Sequence, residues 1–214
     1  MIHYFNTHTH THSANAVINA PLGFTQFDAN LYYSLGIHPY DYMKYCENAE
    51  MLHRWLHTHI QLPHVRAVGE CGIDRTISVD VELQEDLLVQ HIELAQLHNK
   101  MLIIHAVRAY GDVVRVLKHT NCRQPVVFHK FMGNKQIYES FQDFDCYYSF
   151  GTELFTRRQS VEMLQLLPLN AILFETDDAH VAIDEIYKFA AQQLHIPVVT
   201  LCAAVRQTVE MLIN

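Results

Sequence analysis

The 214-residue sequence contains no CxxC pair, and its five cysteines (Cys46, Cys71, Cys122, Cys146 and Cys202) are odd in number and widely scattered. That excludes a disulfide framework or a zinc ribbon, and free thiols point to a reducing compartment. Basic residues are also scarce. Fifteen Lys plus Arg against 23 Asp plus Glu leave a formal charge of −8, which argues against wrapping nucleic acid by bulk electrostatics. A nucleic-acid substrate stays open, because bound divalent metals would add positive charge at the site itself. No apolar run approaches membrane-spanning length, and "MIHYFNTH" lacks the basic-then-apolar pattern of a secretory signal. The expectation is a soluble cytoplasmic protein with no membrane association and no obligate protein partner. GxGxxG, the P-loop and GxSxG are all missing, which removes the dinucleotide, nucleoside-triphosphate and serine-hydrolase readings. No Gly/Ser linker, charge block or repeat divides the chain, so residues 1–214 read as a single domain.

Apolar residues are plentiful, at 50 % of the chain, and they fall into short runs that fix the fold class. The runs are 2–6, 16–19, 31–37, 65–70, 101–105, 125–129, 146–151 and 170–177. Amphipathic stretches at 48–60, 82–98, 109–119, 134–141, 156–166, 181–193 and 198–212 read as helices. Near-continuous apolar strands alternating with helices imply a parallel sheet covered by helices. Eight strands predict an α/β fold of the TIM-like (β/α)8 barrel type. Too few residues separate the first three runs for full helical crossovers, which need a dozen or more, so the first third of the barrel must be abbreviated.

The runs end in a consistent chemistry. His8 and His10 follow the first, His38 the third, Glu70 the fourth, His105 the fifth, His129 the sixth, and Glu175 with Asp177 the eighth. The C-terminal ends of barrel strands converge on one face, where active sites of this architecture lie. Several imidazoles with two or three carboxylates form a donor set for Zn²⁺, Mn²⁺ or a similar ion. His8 and His10 are two apart on a strand and share a face, whereas His12 falls where "SAN" reads as loop.

Each residue also has a plainer reading. A lone strand-end His is usually structural, Glu70 in "GECG" suits a turn, and Asp177 or Asp178 suits a helix N-cap. The joint occurrence at six run ends outweighs them. His53, His57 and His59 lie on or beside a helix, and Arg54 stands where HExxH needs Glu. These, with His91, His98, His119 and His195, read as helix-surface residues.

In order along the chain, "FNTHTH" (5–10), "SLGIHPYDY" (34–42), "AVGECGID" (67–74), "QEDLLVQHIELAQLHNKMLIIHAVRA" (84–109), "VVFHKFMGN" (126–134) and "ILFETDDAH" (172–180) resemble the TatD family of metal-dependent hydrolases and deoxyribonucleases. The resemblance implies a metallo-dependent-hydrolase barrel with two divalent ions (Zn, Mn or Mg). It implies His8, His10 and Asp177 on one ion, His105 and His129 on the other, and Glu70 bridging them. Asp177 and Glu70 are the catalytic candidates, His38 and Arg108 the substrate contacts, and Glu175 a supporting group. The implied reaction is phosphodiester hydrolysis, as a 3′→5′ exonuclease on DNA or RNA. The chain departs from the family's pattern in the short stretch between His12 and Leu31, in Asn6 where Asp is common, in Ala179 and His180, and in lacking a final Asn-containing helix motif. Two other classes compete: a hydrolase of a small ester, amide or phosphoester on the same scaffold, and a metal-binding module without turnover. The acidic balance favours the first of these, and the complete set of ligand types counts against the second.

Overall fold

The computed structural model describes residues 3–213, so Ile2, the start of the first predicted run, lies outside the described residues. Eight strands are all parallel to their neighbours and ordered β1 to β8. They are β1 (Asn6–Thr9), β2 (Ala16–Asn19), β3 (Tyr32–Leu35), β4 (Val65–Asp74), β5 (Met101–Val107), β6 (Val126–Phe128), β7 (Cys146–Phe150) and β8 (Ile172–Phe174). The helices are α1 (Tyr42–His59), α2 (Val81–His98), α3 (Tyr110–His119), α4 (Lys135–Ser140), α5 (Arg158–Leu166), α6 (Ile183–Gln193) and α7 (Val198–Ile213). The predicted (β/α)8 barrel is therefore present, and no single helix among the described residues is long and apolar enough to cross a membrane. The barrel closes just beyond the end of β8, where Asp177 N donates to His8 O at 3.1 Å and His10 N donates to Asp177 O at 3.1 Å.

The abbreviation in the first third takes a definite form. Neither 10–15 nor 20–31 contains a helix, yet β1, β2 and β3 pair in parallel. Phe24 and Phe27 pack edge to face at 4.9 Å, Phe27 meets Tyr33 at 5.1 Å, and Trp55 Nε1 donates to Phe24 O at 2.6 Å. An aromatic loop thus covers the strands that a crossover helix would otherwise cover.

Three local differences from expectation have physical causes. The first strand lies at Asn6–Thr9 instead of 2–6, because these polar residues are buried with partners. Asn6 Nδ2 donates to Thr176 Oγ1 at 2.7 Å, Thr176 N donates to Asn6 Oδ1 at 3.0 Å, and Thr7 Oγ1 donates to Phe174 O at 2.9 Å. Apolar patterning misses a strand whose Asn and Thr side chains are satisfied by distant partners. Helix α1 begins earlier than position 48 and bends at Asn48 (φ −133°, ψ 26°), so the predicted helix is its second segment. His91 is buried on α2, not on its surface: Nε2 accepts from Ile37 N at 3.0 Å, and the other ring nitrogen bonds Leu87 O at 2.7 Å. Burial holds its pKa down to about 4, so it is neutral and ties α2 to the residue before His38.

Strand β4 runs four residues past Glu70, and two glycines permit it. Gly69 (φ 145°) and Gly72 (φ 148°) have positive φ, and a Cβ on Gly72 would collide with the backbone carbonyl of His105. Gly72 pairs with His105 in the β4–β5 register, so that close approach helps place a candidate ligand. Gly72→Ala is expected to cost about 2 kcal/mol or more of unfolding free energy. Gly111→Ala, in α3 with nothing within 4 Å of its added Cβ, should be neutral or stabilising by up to ~1 kcal/mol. Urea denaturation of both variants checks this, and equal effects would remove the steric account.

Candidate metal centre

The strand ends bring seven predicted side chains together. Glu70, 4 % exposed, is the hub. Its Oε1 lies 2.7 Å from His129 Nε2, 2.8 Å from His105 Nδ1 and 3.2 Å from His38 Nε2. Its Oε2 lies 3.3 Å from His8 Nε2 and 3.9 Å from His10 Nε2. Asp177 Oδ1 is 3.6 Å from His8 Nε2 and 3.4 Å from His10 Nε2. Donor atoms converge in three overlapping triads: His8, His10 and Glu70; His8, His129 and Asp177; and His38, Glu70 and His105. His129 thus stands between the two halves of the cluster, close to His105 (3.1 Å) and grouped with His8 and Asp177. Neither Asp177 nor Asp178 caps a helix, since α6 starts at Ile183 with Ala182 before it.

The donor set fits a divalent cation. His8 is fully buried, yet neither ring nitrogen makes a hydrogen bond; the carboxylates sit within ion-pair range of Nε2 without hydrogen-bond geometry. Burial drives this imidazole towards neutrality, but Asp177 and Glu70 overcome it and lift its pKa to about 9. Burial likewise opposes the His129 cation, while Glu70 and Glu175 raise it well above the usual value. Burial disfavours the Glu70 carboxylate, but His129, His105 and His38 hold its pKa well below the usual range. Asp177 behaves alike, with burial opposed by His10, His8 and Lys130. Buried carboxylates that need surrounding positive charge, and a buried imidazole whose two ring nitrogens have no hydrogen-bond partner, match what such an ion requires.

A cleft of about 910 Å³ opens over this cluster. Pro21 and Leu22 of the short 20–31 segment form part of its wall, and Tyr40, 64 % exposed, stands at 4.7 Å edge-to-face from His38. Arg108 is placed differently. It follows the end of β5 with φ 53°, is exposed, does not line the cleft, and makes no ion pair among the described residues. His12 is exposed beyond β1.

Four further groups support the site. Asp74, buried at the end of β4, places Oδ2 3.3 Å from His105 Nε2, while Oδ1 accepts from Thr76 N at 2.7 Å. Glu175, fully buried, puts Oε1 3.2 Å from His129 Nδ1 and accepts from Lys130 N at 2.9 Å. Lys130 Nζ donates to Asp177 Oδ2 at 2.9 Å. Asn19 Oδ1, at the end of β2, accepts from Glu70 N at 3.1 Å. Sequence reasoning named Glu175 but passed over the other three. Asp74 had a signal, since residues 70, 72 and 74 share one face of a strand. Lys130 and Asn19 had none, being ordinary polar residues beside apolar runs.

Known proteins resemble this chain in sequence and in fold. The family model described as TatD related DNase matches residues 3–211. An uncharacterized metal-dependent hydrolase TatD from Mycobacterium tuberculosis is 30 % identical over 162 residues, covering 71 % of this chain and 60 % of its own length. An uncharacterized metal-dependent hydrolase from Buchnera aphidicola is 30 % identical over 165 residues, covering 75 % and 61 %. The matches thus span about 60 % of those curated relatives' length. Among solved structures, the TatD homologue YjjV from Escherichia coli superposes with a TM-score of 0.83 at 21 % identity, covering 99 % of this chain and 98 % of that one. A TatD family hydrolase from Entamoeba histolytica gives a TM-score of 0.75 at 13 % identity, covering 92 % and 84 %. Both likenesses bear on the fold.

The Asp74 contact generates a prediction. Asp74→Asn keeps the shape but loses the charge that orients His105, and should weaken divalent-metal affinity about 10–100-fold with the fold intact. Metal titration followed by calorimetry checks it, and unchanged affinity would make Asp74 a turn-forming residue only.

Proposed function

The chain belongs to the TatD family, and on that premise we propose that it is a metal-dependent hydrolase that cleaves phosphodiester bonds, as a 3′→5′ exonuclease on DNA or RNA. The observation that carries this reading is the convergence of five imidazoles and two carboxylates around Glu70 beneath an open cleft. In the two-ion arrangement that this reading implies, His8, His10 and Asp177 would hold one divalent ion, His105 and His129 the other, and Glu70 would serve both. His38 lies close enough to Glu70 and His105 to share in that second half as well as to meet substrate.

Ions held there supply Lewis-acid charge and water of lowered pKa. The protein's own residues do the rest. Burial opposes the Asp177 carboxylate, but His10 and His8 keep it ionised, so it is placed to orient the attacking water. Glu70 is likewise ionised and fixed by its backbone bond to Asn19 and its imidazole contacts. Glu175 holds the His129 ring from behind. Tyr40 gives the cleft an exposed aromatic face on which a base can stack. Arg108, exposed and unpaired, is available to a phosphate outside the ion cluster, where a guanidinium can bind bidentately.

A second reading, hydrolysis of a small ester, amide or phosphoester, is favoured by one observation: among the described residues, the cleft's lining holds no arginine and only Lys44 and Lys130 beside the histidines. One assay separates the readings. The purified chain with Mn²⁺ or Zn²⁺ is given 5′-labelled single-stranded DNA, matched RNA, a small phosphodiester and an amide. Stepwise loss of 3′ nucleotides is expected, and Glu70→Ala and Asp177→Asn should each lower the rate at least about 100-fold. Turnover of the amide or small ester alone would select the second reading.

A further inference from the structure

We propose that Lys130 is the cleft's phosphate-binding cation, contacting a non-bridging oxygen of the phosphoryl group presented to the ion cluster. This rests on the phosphoester reading given above. Lys130 directly follows His129, in a left-handed conformation (φ 46°) that a residue bearing a Cβ seldom adopts. The surroundings over-determine that conformation. Its N–H is bonded to Oε1 of the fully buried Glu175, and His129 before it lies against Glu70. The strained backbone turns the side chain out of the β6 line and into the cleft, where it is 41 % exposed.

The ammonium sits at the boundary between cluster and solvent. It reaches Asp177 Oδ2 at 2.9 Å, while Oδ1 of the same carboxylate faces His8 and His10. A group touching the outer oxygen of a candidate catalytic Asp is adjacent to any phosphoryl group attacked there. The other lysine lining the cleft is differently engaged: Lys44 is 70 % exposed and paired with Asp41 on its own turn at 2.5 Å. Arg108 lies outside the lining. An anion entering between Asp41, Asp177 and Asp178 thus meets Lys130, the one lysine among the described residues that contacts the inner cluster. As a stability device alone the pair would be weak, because half-exposed Lys–Asp pairs contribute little, and it would not account for the strained backbone that aims it.

The test uses inorganic phosphate as the probe on the full chain as purified, with binding followed by calorimetry at several salt concentrations and bound metal measured on the same samples. Wild type, Lys130→Met, Lys130→Arg and Lys44→Met are compared. Lys130→Met is expected to weaken phosphate binding roughly tenfold or more and to flatten its salt dependence. Lys130→Arg should retain most of the affinity, Lys44→Met should match wild type, and metal content should be unchanged in all. The proposal is overturned if wild type does not bind phosphate, if Lys130→Met binds it as wild type does, or if that variant loses metal together with phosphate, which would make Lys130 a positioning residue for Asp177. Hydrolysis measured alongside separates the two claims. Phosphate binding through Lys130 without phosphodiester cleavage would retire the proposed activity alone. Cleavage with phosphate binding indifferent to Lys130 would retire this assignment alone.

Discussion

Glu70 places a carboxylate almost out of solvent, with its Oε1 within 3.2 Å of three imidazole nitrogens and its Oε2 3.3 Å from a fourth. An isolated charge buried this deeply would be costly, so every element that delivers a histidine here is tied to that one group. β1 brings His8, β5 His105, the end of β6 His129, and the turn after β3 His38. The barrel supplies the convergence, and the charge balance among these donors makes it a site for a dication.

Supporting interactions keep that arrangement in register. Gly72 lets β4 press against the His105 carbonyl, Asp74 meets the far side of the same ring, and Glu175 does this for His129. Asp177, with φ 52°, closes the barrel through backbone bonds to β1 and presents its carboxylate to His8 and His10. Closure of the fold and completion of the candidate site are therefore one event at one residue. The short 10–15 and 20–31 connections are compatible with this closure, because an aromatic loop covers the strands they join.

Much of this was legible in the sequence where side-chain chemistry follows burial. The run 16–19 coincides with β2, the helices fall within a few residues of their predicted places save the start of α1, and the strand-end pattern found the five imidazoles and Asp177 that gather at the Glu70 carboxylate. What escaped has a common cause. Asn6–Thr9 is a buried strand of polar residues whose partners are some 170 residues away, so no local pattern reveals it. His91 sits on the buried face of α2 with Leu87, Leu88 and Ala95, a periodicity that was available but overridden by its polar type. Lys130 and Asn19 gain their meaning only from neighbours on other strands.

On the proposed reading, Glu70 is shared by two divalent ions. Metal analysis of the purified wild-type chain beside Glu70→Gln, by inductively coupled plasma mass spectrometry after equilibration with Mn²⁺ or Zn²⁺, tests it most directly. The account predicts two ions per chain in the wild type and loss of both occupancies in the variant, with its fold retained by circular dichroism. A wild type that binds no more than one ion, or a Glu70→Gln chain that still holds two, would contradict it.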